Sequence, residues 1–350
     1  MINQGTTATP LVAQNYIKYD RMIQMTDAAF VGSNATQVTI YIDLYSVLLQ
    51  VFSDSFNLAT VTSDYEIAAA IINMVSHYRN FFWTRYKVTT KFHLVWSINR
   101  SKSSIVFNQN YNLKMKSCSK EQMDYVLNNL DAVALIVPYL NDVCLTCGRF
   151  EVGVIMYDII LNSPATTNII ITKDIITMQL AGLVDNTVIY RPKKVNQEDV
   201  SFYIAKDGLI QYLLDSRGAK TSGEGLDGGL LSSILALNNV PERSLKTVLP
   251  ISTVIKLLKM GVLEKSIFNG HNNDIMNIIN TFDMENKAKC IKACTQERFK
   301  AIDIVYQHAI YSTHPDKFLY KGFQNLYDPQ GLHYVVSEYF KDCPINLERI

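Results

Sequence analysis

Apolar positions along this chain fall into two rhythms. Short runs of β-branched and aromatic residues, each closed by a polar residue, alternate with longer stretches in which apolar residues recur every three or four positions. The first run, Thr39-Ile40-Tyr41-Ile42, meets Asp43 and passes into Leu44-Tyr45-Ser46-Val47-Leu48-Leu49 at helical spacing. It predicts a buried strand that delivers a carboxylate to its C-terminal edge and then enters a helix. Ser63, with Glu66 three positions on, forms a capping box ahead of Ile67, Ala70, Ile71, Met74 and Val75, predicting a long helix that reaches His77 to Phe82. Lys91 to Ile98 predicts the second strand, ending at Asn99. Ala132 to Val137 predicts a third strand and Phe150 to Leu161 a helix opening with Glu151. Asn168 to Thr172 is the most strand-like run and ends at Lys173-Asp174, and Val188 to Tyr190 is a short strand. This alternation predicts an α/β fold: a mainly parallel sheet with helices on both faces. Asp43, Asn99 and Asp174 would project from its C-terminal edge, where open sheets bind ligands.

Outside that alternation the pattern changes. Residues 1–37 are polar, rich in Thr, Asn and Gln and without sustained period, so they are expected to form an arm that packs late or meets a protein partner. The α/β core is expected over 38–205, with Ser201 to Ala205 as its last strand. From Gly208 the chain turns helical. It is broken by a glycine-rich stretch, Arg217 to Gly229, which lacks a phosphate-loop pattern and is expected to be a flexible connection. Leu230 to Leu237, Ile251 to Met260 and Asn273 to Phe282 predict short helices of a module spanning 206–283. A long helix from Lys287 to Tyr311 and a Tyr-rich tail complete 284–350. The tail tyrosines, among them Tyr306, Tyr311, Tyr320, Tyr327, Tyr334 and Tyr339, suit either base stacking or a protein interface.

Charge changes this picture only locally. Lys and Arg total 33 against 32 Asp and Glu, so net charge argues neither for nor against nucleic acid. Between Arg100 and Lys120, however, stand Arg100, Lys102, Lys114, Lys116 and Lys120 with no acid, interleaved with Phe107 and Tyr111. Cations that neutralise phosphates beside rings that stack on bases are the footprint of a nucleic-acid strand. Arg191-Pro192-Lys193-Lys194 adds a basic turn. No run of about 18 apolar residues exists and the first thirty positions lack a signal-peptide layout, so no membrane contact and a cytoplasmic location are expected. The six cysteines, Cys144-Leu145-Thr146-Cys147 among them, are expected to be reduced thiols acting as small hydrophobes.

Taken in order, these motifs resemble the flap endonuclease and 5′-3′ exonuclease family, over about Gln37 to Met260. Tyr41-Ile42-Asp43-Leu44 resembles its first-strand motif, and Val95-Trp96-Ser97-Ile98-Asn99 its second strand, with Asn99 where the family has Asp. Arg100 to Lys120 lies where the family has a basic arch. Glu151 matches the first acid of the family's helix motif, with Gly153 and Val154 in the places of further acids. Thr172-Lys173-Asp174-Ile175-Ile176-Thr177-Met178-Gln179-Leu180 resembles its Asp-x-Asp run, with Ile176 in place of the second Asp. Leu230 to Leu258 is similar to its helix-hairpin-helix module, with Leu249-Pro250-Ile251-Ser252 in place of the glycine hairpin.

The resemblance implies a PIN-like core, a helix-hairpin-helix-like module and DNA as partner, at a flap or a single-strand/duplex junction. Arg100, Lys102, Tyr111, Lys114, Lys116, Lys120, Arg191, Lys193, Lys194, Ser252, Thr253 and Lys256 are the residues it points to for contact. It also implies catalytic carboxylates, of which Asp43, Glu151 and Asp174 survive, with Asp43 and Asp174 as metal ligands. Hydrolysis by two metals needs a carboxylate cluster holding two hard cations roughly 4 Å apart. With Asn, Gly, Val and Ile at the other positions, one Mg²⁺ or Mn²⁺ at most is expected. The expectation is therefore a catalytically degenerate nuclease fold used for nucleic-acid binding or assembly, of viral, phage-type origin, in the host cytoplasm or associated with the virion. The alternative is an active 5′ nuclease with a rearranged site, recruiting Asp142, Asp158 or Asp227. A second alternative rests on His314-Pro315-Asp316-Lys317, which resembles the loop of a J-domain cochaperone.

Overall fold

The computed structural model describes residues 16–19, 22–25, 37–44, 64–97, 142–148, 150–162, 167–191, 202–238, 240, 247, 249–261, 299, 301–313 and 318–321. In chain order its elements are β1 (Tyr16–Tyr19), β2 (Met22–Met25), β3 (Gln37–Asp43), α1 (Asp64–Tyr86), β4 (Thr89–Ser97), β5 (Val143–Gly148) and α2 (Val152–Leu161). There follow β6 (Thr167–Ile171), a 3-10 turn (Thr177–Gln179) running into α3 (Leu180–Leu183), β7 (Thr187–Arg191), β8 (Phe202–Ile204) and α4 (Lys206–Ser216). A second 3-10 turn (Gly228–Leu230), α5 (Leu231–Leu237), α6 (Ile251–Lys259), α7 (Ile304–Thr313) and β9 (Phe318–Lys321) complete it.

A seven-stranded sheet runs in the order β8-β7-β6-β3-β4-β5-β9. Pairing is parallel from β7 through β5, and antiparallel at both ends, β8 on β7 and β9 on β5. The chain thus leaves β3 toward β4 and β5, then returns to the other side of β3 as β6. That reversal makes the gap between β3 and β6 the topological switch point of the sheet.

Burial explains why these strands are so apolar. Val38 to Ile42 in β3 and Asn168 to Ile171 in β6 are buried at every successive position, so both faces of the sheet are covered. On one face α1 lays Tyr78, Phe81 and Phe82 against Tyr190, and Arg79 sits over the Phe92 ring at 5.7 Å. The crossover from β5 to β6 runs in the opposite direction to that from β3 to β4, and right-handed crossovers place α2 on the opposite face. Helix α2 is apolar nearly all round because it is itself sandwiched, with α7 packed on its outer side. This core, α/β with a mainly parallel sheet, is the expected one.

Several elements differ from expectation. The polar arm carries the hairpin β1-β2, whose second strand lies beside β8 and α4. The strand beside β4 is Val143–Gly148, whereas Ala132 to Val137 lies outside the described residues. The Cys144-Leu145-Thr146-Cys147 motif therefore sits inside a strand; Cys144 is a half-buried free thiol that burial holds above its ordinary pKa. Lys287 to Tyr311 is not one continuous helix, since Ala301 and Ile302 form a turn and α7 starts afresh at Ile304.

The glycine-rich stretch is packed rather than loose. A Cβ on Gly182 would stand 2.4 Å from the carbonyl carbon of Gly228, and one on Gly228 would stand 2.6 Å from the Lys206 carbonyl oxygen. Only hydrogens at these positions let α3, the stretch and the start of α4 touch backbone to backbone. The side chain of Gln211 accepts from the Gly223 amide at 2.8 Å, and Asp227 takes the Gly229 amide at 2.6 Å and Lys206 at 3.0 Å.

Among the described residues, no helix is long and apolar enough to cross a membrane.

Candidate functional site at the sheet switch point

Strand β3 ends on Asp43, whose side chain is buried at 4% exposure. In the register of β3 and β6, Ile42 stands opposite Ile171, so the residue that follows β6, Thr172, arrives beside Asp43. Thr172 is itself buried and its Oγ1 donates to Asp43 Oδ2 at 2.9 Å. Thr172 Oγ1 in turn accepts from the Asp174 amide at 3.1 Å. One hydroxyl thereby ties the first carboxylate to the backbone that carries the second, across the switch point.

Asp174 is half-buried and its carboxylate is engaged by the turn below it. Oδ1 accepts from the Ile176 amide at 3.2 Å, and Oδ2 accepts from the Thr177 amide at 3.1 Å and the Thr177 hydroxyl at 2.8 Å. This is the work of an N-terminal helix cap, in which an Asp satisfies amides that have no partner inside the helix.

Glu151 is half-buried at the N-cap position of α2, three residues past the end of β5 at the same edge of the sheet. Its side chain does not cap the helix; its carbonyl accepts from Val154 and Ile155 at 3.0 and 3.1 Å. The first turn of α2 packs against the turn after Asp174. At Gly153, an added Cβ would meet Thr177 Cα and Oγ1 at 3.2 Å and Ile304 Cδ1 at 2.9 Å. The structure therefore gathers the elements of Asp43, Asp174 and Glu151 at one edge, while the space beside Gly153 is filled by Thr177 and by Ile304 of α7.

The acids considered as replacements lie elsewhere. Asp142 sits at the opposite, N-terminal end of β5, where its carbonyl accepts from the Phe92 amide at 2.8 Å; a six-residue strand separates the two sheet edges by about 20 Å. Asp158 is buried on α2 and paired with His308 of α7 at 2.9 Å. Asp227 caps its own turn and pairs with Lys206. Among the described residues, no group of three or more His, Cys, Asp or Glu is placed to hold a metal ion.

Of the residues expected to touch nucleic acid, Ser252 and Lys256 are exposed and Thr253 half-buried on α6. Helix α6 is joined to α5 by Asn238, which donates to the Leu249 carbonyl at 3.0 Å and accepts from Arg217 Nη1, and by the Leu249 amide on the Leu237 carbonyl at 3.1 Å. Arg191 ends β7, paired with Phe202. Arg100, Lys102, Tyr111, Lys114, Lys116, Lys120, Lys193 and Lys194 lie outside the described residues, as do Asn99 and His314 to Lys317. Tyr311 is fully buried against Phe150, at 5.0 Å between ring centroids, so it belongs to the core and not to a stacking surface.

Sequence reasoning missed Thr172, Gln179 and the α7 contacts. A buried hydroxyl one residue past a strand and two before an Asp was the available signal for Thr172; the pairing with α7, more than a hundred positions away, left none.

No family model matches the chain, and no curated protein matches it by sequence. By structure the chain is similar to the bacteriophage T5 flap endonuclease in a pseudo-enzyme–product complex with DNA and metal ions. That likeness has a TM-score of 0.49 and 10% identity, covering 87% of this chain and 98% of that one. It is also similar to the T5 5′-exonuclease with bound zinc, at a TM-score of 0.47 and 9% identity, covering 78% of this chain and 90% of that one.

Proposed function

We propose that this chain is a catalytically degenerate flap-endonuclease-like protein that binds DNA, at a flap or a single-strand/duplex junction, without cutting it. The observation that carries this reading is the state of the switch point. The Thr172 hydroxyl links the Asp43 carboxylate to the Asp174 amide there, while the Asp174 carboxylate accepts three hydrogen bonds from the turn that follows it. The neighbouring position, Gly153, is closed by Thr177 and Ile304. Among the described residues the acids do not fit a pair of hard cations, which each need several oxygen ligands from a shared cluster. Asp43 and Asp174 are the residues that would hold a single Mg²⁺ or Mn²⁺, and Glu151 borders them.

DNA contact in this reading falls to Arg100, Lys102, Tyr111, Lys114, Lys116 and Lys120, to Arg191, Lys193 and Lys194, and to Ser252, Thr253 and Lys256 of a helix-hairpin-helix-like pair formed by α5 and α6. Cations that neutralise phosphates give an affinity that falls steeply with salt. Such a protein serves a phage as an assembly component in replication or in the virion, in the host cytoplasm, with the N-terminal arm and C-terminal tail as places for protein partners.

The test is binding and cleavage of 5′-flap DNA by the full chain, with Mg²⁺ or Mn²⁺ present. Salt-sensitive binding with the DNA left intact is expected. Cleavage abolished by Asp43→Ala or Asp174→Ala would overturn the reading in favour of an active nuclease.

A further inference from the structure

The C-terminal segment around α7 meets the switch point through two contacts of different kinds. Gln179, at the end of the 3-10 turn that Asp174 caps, is 2% exposed and donates from Nε2 to the Ile302 carbonyl at 2.7 Å. Ile304, the first residue of α7 and 1% exposed, lies over Gly153, the second residue of α2, where Thr177 also closes in. Three chain segments, 151–154, 174–179 and 302–304, thus converge on a spot where only a hydrogen fits. The remainder of α7 is fastened to α2 farther along. His308 pairs with Asp158 at 2.9 Å and stands edge-on to Tyr157 at 5.0 Å, and Tyr311 packs on Phe150. Asp303 accepts from the Tyr306 amide at 2.8 Å, which starts α7 at a defined residue.

We infer that Ile302 and Ile304 form a brace that positions the two acid-bearing elements, the Asp174 turn and the Glu151 helix, against each other. Gln179, Gly153 and Thr177 are the residues through which it acts. The physical grounds are that the short turn tied to the Asp174 carboxylate, followed only by the four residues of α3, has little stability of its own. Its position is fixed by what it packs on: α3, into which it runs and which rests on the Gly228 backbone, and, from elements distant in sequence, Gly153 and the Ile302–Ile304 segment. The C-terminal segment therefore sets the arrangement of the switch-point acids without supplying a polar atom to them. This inference deepens the DNA-binding reading and rests on it only for its effect on affinity.

The experiment is a double-substitution cycle in the full chain, read by amide hydrogen exchange and by affinity for a 5′-flap DNA. Gly153→Ala, which puts a methyl group 2.9 Å from Ile304 Cδ1, is expected to speed exchange across 174–183 by about tenfold and to weaken flap binding severalfold. Adding Ile304→Val, which deletes that Cδ1 atom but leaves the new methyl 3.2 Å from Thr177 Cα and Oγ1, is expected to restore both in part. Val305→Ala, on the exposed side of α7, serves as the control and leaves both unchanged. The brace is overturned if Gly153→Ala leaves exchange across 174–183 as in the parent chain, or if adding Ile304→Val brings it no closer to the parent chain. A parent chain that binds no flap DNA, yet shows the exchange cycle, would remove the DNA reading and leave the brace standing.

Discussion

Thr172 and Asp43, 129 positions apart in the chain, are joined by a buried hydrogen bond of 2.9 Å at the ends of adjacent strands. A carboxylate with 4% exposure depends on its donors, because water is not there to replace them. Thr172→Val keeps the shape and deletes the donor. It is expected to cost about 1–3 kcal/mol in urea unfolding, while Thr172→Ser, which keeps the hydroxyl, should cost less. Equal losses for Val and Ser would place the effect in packing.

Gly182 illustrates a second dependence. Its missing Cβ is what allows α3 to rest on the Gly228 backbone, with 2.4 Å to the carbonyl carbon if a methyl were added. Because the obstacle is main chain on both sides, no rotamer change relieves it. Gly182→Ala is expected to destabilise by about 3 kcal/mol or more, toward the upper end of overpacking. Gly218→Ala meets nothing within 4 Å and is strained only by its positive φ of 65°, so it should cost about 1 kcal/mol. Thermal unfolding of the two variants side by side would show the order.

His93 supplies a pH dependence. Its ring stacks on Tyr41 at 5.0 Å, and burial, with Lys91 nearby, lowers its pKa from 6.5 to about 4. The neutral ring is favoured in the fold, so the unfolded chain takes up the proton first as pH drops. The contribution is full above pH 6.5 and is lost as pH falls toward about 4. It is expected to amount to about 1–3 kcal/mol across that window. His93→Gln should flatten that part of the stability profile, measured by urea unfolding at a series of pH values. An unchanged slope would assign the acid sensitivity to other groups.

How much of this was legible in the sequence follows from what each residue packs on. Strands β3, β6 and β7 read clearly because a parallel strand covered on both faces becomes a nearly unbroken apolar run, as in Ile169 to Ile171, and β4 does so over its second half, Leu94 to Trp96. Strand β5 does not, since Val143-Cys144-Leu145-Thr146-Cys147-Gly148 mixes small and polar residues and resembles a ligand motif as much as a strand. Strand β9 is four residues long and is defined by its partner, Thr146 to Gly148, not by its own pattern. Asp43, Glu151 and Asp174 could be found because each closes a strand or opens a helix. The capping role of Asp174 depends on a turn that Thr177 and Gln179 share with α2 and α7, and local spacing does not reveal a contact made by the far end of the chain.

The Asp158–His308 pair fastens that far end. Both side chains are largely withdrawn from solvent, at 9% and 18% exposure, and they join α2 to α7. Removing one partner leaves the other buried without its counterpart, which costs more than the pair contributes. Asp158→Asn, His308→Gln and the double variant form a cycle with an expected coupling of about 1–2 kcal/mol in urea unfolding. A coupling near zero would mean that α7 is held by its other contacts, those of Tyr311, Ile304 and Ile302 among them, and not by this pair.

Asp174 separates the structural from the metal-binding use of a carboxylate. Asn keeps a side-chain oxygen that can accept from amides, so Asp174→Asn should retain most of the cap, whereas Asp174→Ala should lose about 1 kcal/mol. For a divalent ion the order differs, because a neutral oxygen is a far poorer ligand for a hard cation. If Asp43 and Asp174 hold one Mn²⁺, the full chain should bind it weakly by calorimetry, and both the Asn and the Ala variants should abolish the binding although only Ala is destabilised. Retention of Mn²⁺ binding by Asp174→Asn would take Asp174 out of the ligand set and leave it as the cap of the turn that the brace holds in place.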